Sequence, residues 1–134
     1  MKRRVILAYQ LCTGLSDGAT GGLLIFAPAF TLRLMGLTVP PNALPFLSYI
    51  GAFVLSVGIA CLYGGMLAMR ENQAPKLEVV WLLTAITRGL VAAFVVSGLL
   101  SGALAAGWML VAVSDGVLAM IQGFGLFKGW LADA

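Results

Sequence analysis

Four runs of apolar residues dominate the sequence, Val5–Ala27, Leu44–Met69, Leu77–Leu100 and Ala103–Phe127. Each exceeds the roughly 20 residues that a helix needs to cross a hydrocarbon layer about 30 Å thick. Inside lipid every backbone N–H and C=O must find its partner within the protein, and a single apolar segment achieves this only as a helix. The connections are too short to form a separate water-soluble unit, so residues 1–134 read as one transmembrane domain. The predicted fold class is all-α, an integral membrane four-helix bundle.

Composition agrees. The chain is 61% hydrophobic and 10% charged, against roughly 45–50% and 25% for soluble domains. A net charge of +3 would suit a nucleic-acid partner, but the basic residues gather at the ends of the runs, where topology signals belong. The expected partner is the lipid bilayer, and nucleic acid is excluded. Lys2, Arg3, Arg4, Arg70, Lys76 and Lys128 fall on the side that holds both termini, whereas the opposite side has Arg33. By the positive-inside rule both termini face the cytoplasm, in a multi-pass protein of the inner membrane. Trp81 and Trp130 near one boundary and Trp108 near the other are expected to anchor the spans at the interface.

The link Pro28 to Ala43 is apolar, with Phe30, Leu32, Leu34, Met35 and Leu37 around Arg33, and predicts a short helix lying in the interface. The polar stretch Arg70 to Lys76 breaks the chain between the second and third runs, and Ser101-Gly102 predicts a tight turn before the fourth. The basic start and Ala27-Pro28-Ala29 imitate a signal peptide with its cleavage site. Gln10, Thr13, Ser16, Asp17 and Thr20 interrupt the apolar core that such a peptide needs, so the segment reads as a retained first span.

Three charged residues lie deep inside these runs: Asp17 in the first, Arg88 in the third and Asp115 in the fourth. Each costs about 2.5–3.5 kcal/mol to insert near a bilayer centre. Counted from the cytoplasmic ends at about 1.5 Å per residue, all three fall at one height. They are expected to meet there as a polar layer. Gln10, Thr13, Asp17 and Thr20 share one face of the first helix, Trp81, Thr84 and Arg88 a face of the third, and Asp115 and Gln122 a face of the fourth. A supporting polar seam through Gln10, Thr13, Thr20, Thr84 and Gln122 should run from the layer toward the cytoplasm. Two carboxylates and one guanidinium leave a formal −1, which invites protonation of one acid or recruitment of a cation. The layer then reads either as a ligand or ion site or as a structural ion pair that fixes helix register; both readings stay open.

Small residues recur at every fourth position: Gly14, Gly18 and Gly22, then Ser48, Ala52, Ser56, Ala60 and Gly64, then Ala85, Gly89, Ala93 and Ser97. Such stripes let helices approach closely in lipid, within one bundle or in a homo-oligomer. Histidine is absent, which removes histidine-ligated metal and haem sites; no metal site and no catalytic residue are assigned. Cys12 and Cys61 form no paired motif and are expected to act as small packing residues.

The run Phe26 to Leu37, followed by Phe46-Leu47-Ser48-Tyr49-Ile50-Gly51-Ala52-Phe53, resembles the first loop and second helix of small bacterial four-helix membrane proteins of the DoxX-like kind. The resemblance implies a small subunit beside a quinone-linked oxidation complex. It transfers no catalytic residue, because the cysteine pairs of related redox branches are missing here. Three functions follow, in order of expectation. The first is a non-enzymatic subunit or scaffold of a larger membrane complex, the second a small carrier or proton and cation pathway through the layer. The third is an enzyme on a lipid or quinone, with the two aspartates as acid and base. No bound cofactor is expected, with a quinone or lipid as the open exceptions.

Overall fold

The computed structural model describes residues 2–132, and every regular element among them is helical. Helix α1 (Lys2–Phe26) leads into a short α2 (Pro28–Leu34); α3 (Leu44–Met69), α4 (Ala74–Leu100) and α5 (Met109–Phe127) follow. Single 3-10 turns at Pro41–Ala43 and Ala106–Trp108 introduce α3 and α5. Three helices, α3 and α5 with their leading turns and α4, are long and apolar enough to cross a membrane. Helix α1 has the length, but its own polar residues dilute its hydropathy.

Prolines open three helices: Pro28 begins α2, Pro45 lies in the first turn of α3 and Pro75 in that of α4. There the missing N–H has no helical partner to lose, and the ring presets a helical φ. Helix α2 ends on Gly36, whose φ of 71° lets the Leu37 N–H return to Leu32 O at 2.9 Å. Helix α3 is closed by a side chain from elsewhere. Arg3 donates from Nε to Ala68 O at 2.6 Å and from Nη2 to Met69 O, placing a cation on the negative end of the helix dipole.

Helices α1 and α3 pack antiparallel through glycines. A Cβ on Gly58 would lie 2.6 Å from Gly18 N and 3.0 Å from Gly14 O, and one on Gly21 would strike the Leu55 backbone and lie 2.8 Å from Gly51 O. No side chain fits, so the two backbones touch, as close helix association in lipid requires. The expected stripe holds at Gly14, Gly18, Ser48 and Gly64 but is displaced by one residue between them. The seam on α3 runs through Gly51 and Gly58, two turns apart, while Ala52 and Ser56 are exposed, and Gly22 on α1 meets nothing within 4 Å. One residue is 100° of helix, so the neighbouring face carries the contact.

Helices α4 and α5 form the second pair, joined by side chains: Arg88 to Asp115, Thr84 to Gln122, and Trp81 against Gly125. Among the described residues, no Cα of α1 comes within 8 Å of a Cα of α4 or α5. The pairs therefore meet along α3 and α4, and across long side chains elsewhere. Two apolar clusters clamp the ends. Where the chain's ends lie, Ile6, Leu67, Ala68, Leu77, Trp81 and Leu131 are buried together. At the far end Leu32, Leu37 and Leu47 are buried against Met35, Val39, Leu44 and Trp108.

Three expectations are corrected here. The fourth helix starts at Met109 and not near Ala103, because Gly102 adopts φ 76° and the Leu104 N–H returns to Gly98 O, spending residues 101–105 on a loop. Trp81 is no boundary anchor: it is 2% exposed, within the lower apolar cluster and 5.2 Å from the Tyr9 ring centroid. Cys12, expected to pack, is exposed, while Cys61 is fully buried.

Candidate functional site

Asp17, Arg88 and Asp115 come together between the two end clusters. Arg88 Nη1 donates to Asp115 Oδ1 at 2.9 Å, and Nη2 donates to Asp17 Oδ2. The geometry follows from helix direction. Helices α1 and α4 run parallel, so Tyr9 beside Trp81 and Asp17 beside Arg88 keep nearly the same offset in sequence. Helix α5 runs opposite to α4 and brings Asp115 to the other edge of the guanidinium. One planar fork thus holds a carboxylate on each side, the arrangement for which arginine is better shaped than lysine. It is also the principal polar link across the gap between α1 and α4.

The layer is unevenly covered. The Arg88 side chain is 3% exposed, whereas those of Asp17 and Asp115 are 19% and 21% exposed. Each carboxylate gives one oxygen to Arg88, and among the described residues Asp17 Oδ1 and Asp115 Oδ2 accept no hydrogen bond from the protein. Glycines adjoin all three charges. A Cβ on Gly18 or Gly89 would meet nothing within 4 Å, and one on Gly116 meets Ala92 at 3.8 Å. Two acceptor oxygens without a protein partner and an unbalanced formal −1 thus remain at the layer. Among the described residues no group of three or more His, Cys, Asp or Glu side chains is placed to hold a metal ion.

Toward the chain termini the seam is fully enclosed. Gln10 and Gln122 are 0% exposed. Gln10 Nε2 donates to Cys61 O at 3.0 Å, and Gln122 Nε2 to Thr84 Oγ1 at 2.7 Å. Thr84 in turn donates back to Val80 O, and Thr13 to Tyr9 O. Thr13 therefore satisfies its own helix and gives nothing to the layer. Thr20 leaves the seam altogether. It is exposed, because beyond Asp17 the contact of α1 is the Gly21 face against α3, and Thr20 points 100° away from it.

Sequence reasoning set Trp81 on the face of Thr84 and Arg88 but missed Tyr9 and Cys61 as members of this region. Cys61 Sγ lies 3.9 Å from Arg88 Nη2. Five buried polar atoms here have no hydrogen-bond partner in the protein: Tyr9 Oη, Gln10 Oε1, Trp81 Nε1, Arg88 Nε and Gln122 Oε1. Leaving a buried polar group unpaired costs about 1–3 kcal/mol. Five such groups approach the roughly 5–15 kcal/mol that stabilises an ordinary domain.

Neither marked cavity coincides with the layer. An apolar cleft of about 310 Å³ opens between α4 and α5 at the far end, lined by Val96, Leu99, Leu100, Met109, Ala112 and Val113. No protein-family model, curated protein or solved structure matches this chain.

Proposed function

We propose that the protein is a four-span inner-membrane protein with both termini cytoplasmic, and that the Asp17-Arg88-Asp115 layer is an exchangeable cation site. Its activity is then that of a small carrier or cation pathway, without chemistry on a substrate. The observation that carries this reading is the pair of unpartnered carboxylate oxygens on partly exposed acids at either edge of one almost fully covered guanidinium. Enclosing an ion pair costs desolvation that is offset only when the remaining lone pairs are also hydrogen-bonded, and here two carboxylate oxygens are not. Here the acids stay open while the arginine is sealed. Ionisable groups at such depth ordinarily serve pathways or ligand sites.

The test is reconstitution of the purified protein, alone, into liposomes under a pH or cation gradient with an internal dye. Flux is expected in the wild type, and its loss in Asp115→Asn at unchanged thermal stability. Equal flux in both, or none in either, overturns the reading. A second reading, that of a subunit beside a larger and possibly quinone-using complex, draws on the exposed aromatic ladder Phe46, Tyr49 and Phe53 along α3. It predicts that the protein copurifies with other polypeptides through that face.

A further inference from the structure

The apolar cleft between α4 and α5 and the polar layer are neighbours on one interface. On α4, Arg88, Ala92 and Val96 follow one another at four-residue spacing, and Leu99 and Leu100 continue that face into the cleft. On α5, Ala112 lies one turn from Asp115, away from the chain termini. Ala92 and Gly116 face each other at the level of Asp115, where a Cβ added to Gly116 would stand 3.8 Å from that of Ala92. Residues this small raise no partition between acid and cleft. Side-chain direction narrows the gap further. A Cα–Cβ bond leans toward the N-terminus of its helix, and α5 begins at Met109 on the cleft side, so Asp115 leans toward Ala112.

We propose that cleft and layer together bind a monovalent amphipathic organic cation, its apolar body in the cleft and its charged head against Asp115. Charge sets the head. Asp115 gives Oδ1 to Arg88 and keeps Oδ2 without a protein partner, and one added positive charge cancels the formal −1 of the layer, which a divalent ion would overshoot. The walls set the body. Every side chain lining the cleft is apolar, so an inorganic ion, bare or hydrated, would leave the cleft unused. Such an ion is also poorly served by the layer: calcium takes about 6–8 oxygens, whereas the free carboxylate oxygens here are two, on opposite edges of the guanidinium. The cleft's volume of about 310 Å³ stands at the lower end of the roughly 300–1,000 Å³ of ligand pockets, which join apolar walls to a few placed polar groups. It suits a compact bicyclic body. Val96, Leu100, Met109 and Val113 are exposed, so the mouth lies on the outer face of the helix pair and the ligand enters from the bilayer. This inference rests on the cation-exchange reading and deepens it by naming the class of cation.

The probe is 1-methylquinolinium, a flat monovalent cation, with 1-methylnaphthalene as its uncharged counterpart of the same shape. Binding of each to the full chain in phosphatidylcholine nanodiscs is measured by equilibrium dialysis against empty nanodiscs, and flux is read in liposomes from the same preparations. Saturable quinolinium binding is expected in the wild type. Asp115→Asn should weaken it about tenfold or more, through loss of one charged contact. Val96→Phe, which fills the cleft and leaves the acids alone, should weaken it several-fold; where that variant does not fold, Val113→Phe on the facing wall replaces it. Naphthalene binding that equals quinolinium binding and ignores Asp115→Asn overturns the proposal, the cleft being then a groove for lipid tails. Unchanged affinity in the cleft variants overturns it as well. Flux without quinolinium binding overturns this inference and leaves the cation-exchange reading standing with a smaller ion. Binding that depends on Asp115 in a protein without flux overturns the carrier activity while the site stands, and absence of both overturns both.

Discussion

Helices α1 and α3 hold each other by bare backbone, whereas α4 and α5 hold each other by side chains. In the first pair a Cβ at Gly58 or Gly21 collides with main-chain atoms that cannot yield. In the second, a Cβ at Gly116 finds only Ala92 at an ordinary distance, and one at Gly123 finds nothing within 4 Å. Backbone contact leaves no freedom for sliding, because every atom along the seam would have to move together. A side-chain interface can change rotamers while its helices stay intact. The rigid pair thus supplies a wall and the compliant pair the adjustable partner, with Arg88 spanning from the second to the first.

This contrast can be broken most severely at its link. Arg88→Leu strands two acids facing each other and should lower stability by about 3–5 kcal/mol, read as thermal unfolding in detergent; an unchanged midpoint would refute the coupling of the pairs through this residue. Next comes the wall. Gly58→Val forces α1 and α3 apart and should cost about 1–3 kcal/mol, with the same measurement deciding. Asp17→Asn or Asp115→Asn alone leaves one −1/+1 pair and an amide that still bonds, so the expected cost is about 1 kcal/mol or less. Smallest is Gly123→Ala. With open space at that position it should be neutral or raise stability by up to about 1 kcal/mol, and a large loss there would erase the distinction between the pairs.

Much of the helical architecture was legible because apolar run length alone dictates it, and the meeting of Asp17, Arg88 and Asp115 because all three lie equally far along helices that begin or end together. What was not legible depends on rotation about an axis. Thr20 and the stripe Ala52-Ser56 lie one residue off the contact face, a difference that four-residue spacing cannot register. Trp81 carries the composition of an interface anchor, and only the arrival of Tyr9 and Leu131 from distant positions encloses it. The turn at Ser101-Gly102 was legible, but not the length of the loop behind it, in which the Leu104 N–H returns to Gly98 O and α5 waits until Met109.

The turn at Gly129 has a consequence in time. Its positive φ and the bond from Trp130 N to Gly125 O fold the chain back so that Leu131 plugs the base beside Ile6, a residue made some 125 positions earlier. A chain whose helices form in the order of synthesis therefore leaves the apolar cluster at its base uncapped until Leu131 has been made.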